Sequence, residues 1–300
     1  MPVDVNRPGP WNHRNLTARG TRFHVALAGP EAPSGSGVLT LLIHGFPECW
    51  WTWRHVIPAL AQAGHRVAAL DLRGFGGSDR PPSGYDLVTL AQDIAAVVRS
   101  LCHERAVVIG AGLGGQVAWA LPHVAPDLTR AIVPVGAPHP LALRSLRSRA
   151  LSGPALQYAS LQIPGLAERR LRSRSALEGL LRSWAGPHTR EAVAEEAPYY
   201  AELLSRPGAA HSALEPLRNL MLSRAETAAL ERPVTVPVLS VQGQLDPVQP
   251  AQAYARDTHH VTGNLHQATI RRSGHFPQEE APAELVRALI PFLADVAPAV

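Results

Sequence analysis

Residues 107–119 read VVIGAGLGGQVAW and join a short apolar run to an apolar helical pattern through a turn rich in glycine. The run has the length and composition of a buried strand. The glycines of the turn are Gly110, Gly112, Gly114 and Gly115. Their spacing fits the G-x-G-x-x-G turn that binds dinucleotides. It also fits the strand–turn–helix elbow that carries a catalytic nucleophile, with glycine at the nucleophile's place.

Similar apolar runs alternate with helical patterns along most of the chain. The runs cover residues 38–45, 65–72, 106–110, 130–138, 237–243 and 268–274, and the helical patterns cover residues 51–64, 87–102, 115–126 and 283–296. This alternation predicts an α/β fold in which helices flank a mostly parallel central sheet. A further strand at residues 21–29 is expected to pair at the edge of that sheet.

The alternation stops between residues 141 and 232, where the spacing is helical, arginine is frequent and no strand pattern is found. We therefore predict a core of residues 1–140 and 233–300, with residues 141–232 inserted as a helical cap. The arginines of the cap are typical of a solvated helix face. A surface for an anionic partner is the alternative.

The composition excludes several classes of protein. Of the 300 residues, 46% are hydrophobic, which suffices for a large core. No apolar run is long enough to span a bilayer, and the N-terminus lacks a signal-peptide pattern, so we expect a cytoplasmic protein. The two cysteines form no disulfide framework. The net charge of +4 does not indicate nucleic-acid binding. A homodimer is left open.

Ligands of open parallel sheets bind beyond the carboxyl ends of the strands. Asp246 and His275 each follow one of the last two predicted strands. A carboxylate that orients a histidine is the arrangement of a general base. The backbone N–H groups of Phe46 and Leu113 are expected to form an anion hole beside it. The side chains expected to line the pocket or the cap are His44, Trp51, His139 and Tyr158.

Five motifs in this order resemble the α/β-hydrolase superfamily, and within it the branch of epoxide hydrolases and haloalkane dehalogenases. They are HGFPECWWTWRHVIPAL, DLRGFGGSDRP, the glycine elbow, GQLDPV and GHFPQEEAP. Epoxide hydrolases, including actinobacterial ones, are the closer match. The resemblance covers nearly the whole chain. It implies an α/β-hydrolase fold with a cap, a small apolar substrate, and neither a metal nor an organic cofactor.

The chain departs from this family at the residues that carry its chemistry. The family elbow reads G-x-D-x-G-G, and its aspartate attacks the epoxide, whereas this chain has Gly112 at that position. Two cap tyrosines of the family protonate the epoxide oxygen. Their places are taken here by Gln157, with Tyr158 next to it, and by Leu217. The base and its carboxylate are therefore kept, whereas the nucleophile is lost.

Three hypotheses remain for the function. The first is a pseudoenzyme that binds a small apolar ligand. The second is a hydrolase in which His275 and Asp246 act without a covalent intermediate. The third is an epoxide or ester hydrolase with a substitute nucleophile such as Cys49, for which an inert buried cysteine is the alternative. Dinucleotide binding is remote, because the strand that follows the elbow does not end in the acidic residue that would bind the ribose.

Overall fold

The computed structural model describes residues 4–31, 37–144, 160–219 and 222–298. One sheet of eight strands runs through it. The strands are β1 (Asn12–Ala18), β2 (Thr21–Ala28), β3 (Leu39–Ile43), β4 (Val67–Leu70), β5 (Ala106–Ala111), β6 (Thr129–Val135), β7 (Val238–Gly243) and β8 (Leu265–Ile270). Their order is β1-β2-β4-β3-β5-β6-β7-β8. Strands β3 to β8 pair in parallel, whereas β1 and β2 are antiparallel to their neighbours. The predicted α/β fold is confirmed.

The first hairpin corrects one prediction. We expected the strand at residues 21–29 at the edge of the sheet, but β2 lies between β1 and β4. The edge strand is β1, whose sequence NHRNLTA is mostly polar and exposed. A polar edge strand has no apolar alternation by which it could be found. It forms because Arg19 and Gly20, both with positive φ, make the tight turn that returns the chain along β2.

Helices cover the sheet and follow its strands. They are α1 (Ile57–Gln62), α2 (Leu87–Ser100), α3 (Leu113–Val124), α4 (Pro140–Arg144), α5 (Leu166–Arg172), α6 (Arg174–Trp184), α7 (Arg190–Ala194), α8 (Ala197–Leu204), α9 (Ala209–Arg218), α10 (Arg224–Glu231), α11 (Ala251–Tyr254), α12 (Pro277–Glu280) and α13 (Pro282–Val296). Short 3-10 helices occupy Trp50–Trp53 and Asp257–His259. The predicted helix at 51–64 is thus divided into a 3-10 turn and α1.

The core lies around the central strands. Every residue of β3, β4 and β5 is buried, because these strands are covered on both faces. Asp86 caps the N-terminus of α2, because its carboxylate accepts from the N–H of Thr89. Its buried face contacts the sheet and α3. Because β3, β5, β7 and β8 run in parallel, their carboxyl ends lie along one edge of the sheet.

Every regular element described between residues 141 and 232 is a helix. Helix α6 ends at Trp184, whose ring lies 5.5 Å from the ring of His275 and 6.2 Å from that of Phe46. The carbonyl of Trp184 accepts a hydrogen bond from the N–H of His275 at 2.9 Å. The inserted helices thus reach the loops beyond β3 and β8. The division of the chain at 140/141 and 232/233 stays a prediction.

Candidate active site

The glycine turn between β5 and α3 is a tightly packed elbow. A Cβ on Gly110 would lie 2.1 Å from the carbonyl oxygen of Gly114, and one on Gly114 would lie 2.5 Å from that of Ile43. A Cβ on Gly115 would lie 2.4 Å from the Cβ of Ala137. These contacts show that the glycines allow α3 to approach the strands closely. They explain the G-x-G-x-x-G spacing without a bound dinucleotide.

Gly112 differs from its neighbours, because it has room for a side chain. A Cβ there would lie 3.5 Å from Nε2 of His275 and 3.7 Å from Cα of Gly45, with no other described atom beyond its immediate chain neighbours within 4 Å. Its backbone has φ +48° and ψ −111°, outside the regions that L-residues favour. The N–H of Gly112 donates to the carbonyl of Val135, which holds the turn in place. Residue 112 therefore faces the imidazole of His275.

His275 and Asp246 come together from the loops after β8 and β7. The distance from His275 Nδ1 to Asp246 Oδ2 is 2.9 Å. The other oxygen of Asp246 accepts from the N–H groups of Val248 and Gln249, which fixes the carboxylate. Nδ1 carries the proton and donates a hydrogen bond to the carboxylate, which can only accept. Nε2, the other ring nitrogen, points to the elbow. Among the described residues, Nε2 has no hydrogen-bond partner.

Burial lowers the pKa of His275, but nearby carboxylates outweigh it. The charge of Asp246 and its hydrogen bond contribute most to this rise, with a smaller contribution from Glu280. The net pKa is therefore raised above that of free histidine. A raised pKa makes the neutral imidazole a stronger base toward a proton at Nε2.

The two expected anion-hole residues lie on either side of Gly112. Leu113 is the first residue of α3, so its N–H has no carbonyl of a preceding helical turn to bond. Phe46 follows Gly45, whose Cα is the second closest neighbour of a Cβ at position 112. Both side chains are buried. A donor role for their N–H groups stays a prediction.

The structure adds a buried carboxyl group that the sequence analysis missed. Glu48 accepts from the hydroxyl of Thr52 at 2.6 Å and from Nε2 of Gln278 at 3.3 Å. Its Oε2 would lie 3.3 Å from a Cβ on Gly45. Burial, with the charge of Glu279, raises the pKa of Glu48 to about 8. Its position directly after the HGFP motif was the one available signal.

His44 is fixed within the core. Its Nε2 accepts from the N–H of Leu72 at 3.1 Å, so Nδ1 carries the proton and donates to the carbonyl of Gly45 at 2.7 Å. Burial lowers its pKa, which favours this neutral form. With both nitrogens bonded to backbone, His44 holds the loop after β3 and has no ring nitrogen left for a ligand.

Trp51 and His139 lie in contacts of their own. Trp51 donates from Nε1 to Glu196 at 3.0 Å, and the guanidinium of Arg7 lies 4.1 Å from the centre of its ring. His139 is buried and stacks on His260 at 3.9 Å. Burial, with the neighbouring histidines, lowers the pKa of His139 to about 2, so it is neutral.

Of the positions at which the family has its two cap tyrosines, the structure describes only Leu217. Gln157 and Tyr158 lie outside the described residues. Leu217 is buried on α9, and its carbonyl accepts from Nε2 of Gln162 at 3.3 Å.

Cys49 is buried, and burial raises the pKa of its thiol well above the usual value. A thiol that does not ionise is a poor nucleophile.

Neither a metal site nor a membrane span is found in the part of the chain that the structure describes. No three or more histidine, cysteine or acidic side chains there are grouped to hold a metal ion. No described helix has the length and apolarity needed to cross a bilayer.

Comparison with known proteins agrees with this architecture. A sequence model of the alpha/beta hydrolase fold matches residues 40–282. The AB hydrolase superfamily protein YfhM of Bacillus subtilis is 31% identical over 287 residues, covering 93% of this chain and 96% of that protein. Epoxide hydrolase A of Mycobacterium tuberculosis is 30% identical over 323 residues, covering 95% and 98%.

Solved structures give the same result. The chain matches the crystal structure of Cfl2 from Burkholderia cenocepacia with a TM-score of 0.81, at 29% identity over 94% of this chain and 96% of that one. It matches an epoxide hydrolase from an endophytic Streptomyces with a TM-score of 0.78, at 28% identity over 95% and 96%. The chain belongs to the α/β-hydrolase fold family and is related to its epoxide hydrolases.

Proposed function

We propose that this protein hydrolyses a small, largely apolar epoxide or ester by letting His275 activate a water molecule directly. The observation that carries the proposal is the position of His275 Nε2, 3.5 Å from the point that a Cβ at residue 112 would occupy. A base oriented by a carboxylate faces a space that the sequence leaves without a side chain. A water molecule there would be within reach of Nε2.

The reaction needs only groups that this chain has. Nε2 would take a proton from water while the water oxygen forms a bond to the substrate carbon. The electron pair of the breaking C–O bond would stay on the substrate oxygen. Asp246 would stabilise the imidazolium, and the N–H groups of Phe46 and Leu113 would stabilise negative charge on the substrate. The proton on Nε2 would then pass to the leaving oxygen.

Ligand binding without turnover is the second candidate. Two observations favour it: Gly112 cannot form an ester intermediate, and Leu217 has no hydroxyl with which to protonate an epoxide. The two candidates differ in whether His275 does chemistry.

The test is hydrolysis of a panel of epoxides and activated esters by the parent, by His275→Ala and by His188→Ala. His188 is an exposed histidine and serves as the matched control. We expect activity in the parent and in His188→Ala, with a loss of roughly 10²–10⁴-fold in His275→Ala. Equal activity in the parent and His275→Ala, or no turnover of any substrate, would refute the hydrolase proposal.

A second measurement addresses the route. Single-turnover hydrolysis in ¹⁸O-labelled water, with the protein in excess over an epoxide, should put the label into the diol during the first turnover. An oxygen transferred from a carboxylate of the protein would leave that first product unlabelled. Unlabelled product would thus rule out direct attack by water.

A further inference from the structure

Three features of the site surround the position above Gly112. The first is the N-terminus of α3, a helix of 12 residues whose first N–H groups point out of the turn. The second is His275, which is 6% exposed and directs Nε2 at that position without a hydrogen-bond partner among the described residues. The third is room for a carbon atom, because the described atoms nearest to a Cβ would be Nε2 and Cα of Gly45, at 3.5 and 3.7 Å.

These features favour a negative charge. A helix N-terminus carries about half a positive charge, and its N–H groups bind anions. Nδ1–H of His275 is committed to Asp246, so Nε2 can donate a hydrogen bond only in the imidazolium form. An anion above Gly112 would therefore be bound by the helix terminus and by a protonated His275.

The other acidic groups of the site do not oppose such an anion strongly. The pKa of Glu48 is raised to about 8, so this carboxyl is neutral at pH 7. Glu280 is bonded to the N–H groups of Gly186, Gly274 and Phe276. Asp246 lies behind the imidazole, on the Nδ1 side. Trp184 and Phe276 border the ring with apolar surfaces.

The space suits one shape of anion. An aspartate side chain is a methylene joined to a carboxylate, and acetate has the same heavy atoms without the bond to Cα. A methyl carbon at the Cβ position of residue 112 would lie 3.5 Å from Nε2 of His275 and 3.7 Å from Cα of Gly45, which is van der Waals distance. A branched acid carries further methyl groups on that carbon, and a methyl group directed at Nε2 or at Cα of Gly45 would come closer than van der Waals contact.

We infer that the space above Gly112 is a binding site for the carboxylate group of a small monocarboxylate ligand. The inference rests on the proposed function in that it uses the same His275. Binding requires the imidazolium, whereas hydrolysis requires neutral imidazole, so the ligand blocks the base. The carboxylic acid released from an ester is a ligand of this class.

The test is a titration of the parent with acetate at constant ionic strength, followed by NMR through the Cε1–H signal of His275. The signal is assigned by its absence from His275→Gln. We expect a saturable shift and a rise in the pKa of His275, since an adjacent anion favours the imidazolium. Affinity should fall as the pH rises above that pKa. Acetate should also inhibit hydrolysis competitively.

Two controls define the site. Pivalate has the same charge as acetate but is branched, and we expect it to bind at least about tenfold more weakly. Gly112→Asp supplies a tethered carboxylate and should abolish the response to acetate. The pivalate comparison needs no variant, so the test does not depend on the folding of Gly112→Asp.

No shift with acetate, an equal shift with pivalate, or an unchanged response in Gly112→Asp would overturn the inference. Tighter binding of phosphate than of acetate would do the same. All these outcomes are read without turnover, so they are distinct from a failure of the hydrolase proposal. Conversely, acetate binding in a protein that hydrolyses nothing would support the site and refute the proposed function.

Discussion

Gly112→Ala tests whether the elbow keeps the strained backbone of a nucleophile-bearing turn. At φ +48° and ψ −111°, residue 112 lies far outside the left-handed helical region, because its ψ is strongly negative. Such conformations cost a residue with a side chain about 1–3 kcal/mol. The new methyl group adds no clash, because its nearest neighbours would be 3.5 and 3.7 Å away.

The expected loss follows from these terms. Replacing glycine by alanine also restricts the unfolded chain, which offsets about 0.4–1 kcal/mol of the strain. For strain of about 2 kcal/mol, the middle of that range, the net loss of unfolding free energy is about 1–1.6 kcal/mol. For 300 residues the unfolding entropy is about 0.6 kcal/mol/K, so this loss corresponds to a fall in Tm of roughly 1.5–2.5 °C. Thermal unfolding followed by circular dichroism measures it.

Three matched glycines separate strain from steric clash. Gly208→Ala places a methyl group at φ +75° in the left-handed helical region, with only Arg80 Cδ near, at 4.0 Å. Gly179→Ala lies within α6 with nothing within 4 Å and should stabilise the protein by about 0.5–1 kcal/mol. Gly110→Ala would meet a carbonyl oxygen at 2.1 Å and should destabilise most.

From the highest Tm to the lowest, the order should be Gly179→Ala, parent, Gly208→Ala, Gly112→Ala and then Gly110→Ala. A Tm of Gly112→Ala at or above that of the parent, with Gly208→Ala lowered, would refute the reasoning. It would mean that the elbow relaxes to a conformation that a side chain tolerates.

Two further predictions concern ionisable groups. Folded Glu48 keeps a proton that the unfolded chain releases, so the parent loses stability as the pH rises from about 4.5 to about 8. Glu48→Gln should therefore gain stability relative to the parent over this range, by at most about 1.4 kcal/mol per pH unit. Denaturant unfolding at pH 5 and pH 8 measures the difference, and a pH-independent difference would contradict the prediction. Iodoacetamide at neutral pH should label Cys102, which is exposed, and leave the buried Cys49 unmodified. Mass spectrometry should then find one label per native chain and two after denaturation. Labelling of Cys49 in the native protein would support a role for it as a nucleophile.

Local sequence patterns determined much of this protein. Buried parallel strands are continuous apolar runs, so β3 to β7 were predicted near their observed positions. Asp246, His275 and the elbow glycines were predicted together, because each follows a strand and the carboxyl ends of parallel strands share one edge. The polar edge strand β1 was missed, because it forms by pairing with β2 in a hairpin and has no apolar pattern of its own.

Tertiary structure decided what individual side chains can do. His44 and His275 both follow strands, yet one has both nitrogens bonded to backbone and the other directs a nitrogen at Gly112. Glu48 became a neutral acid beside the site because it is buried and because the charge of Glu279, distant in sequence, raises its pKa further. Protonation and hydrogen bonding depend on burial and on partners from other elements, which no local pattern contains.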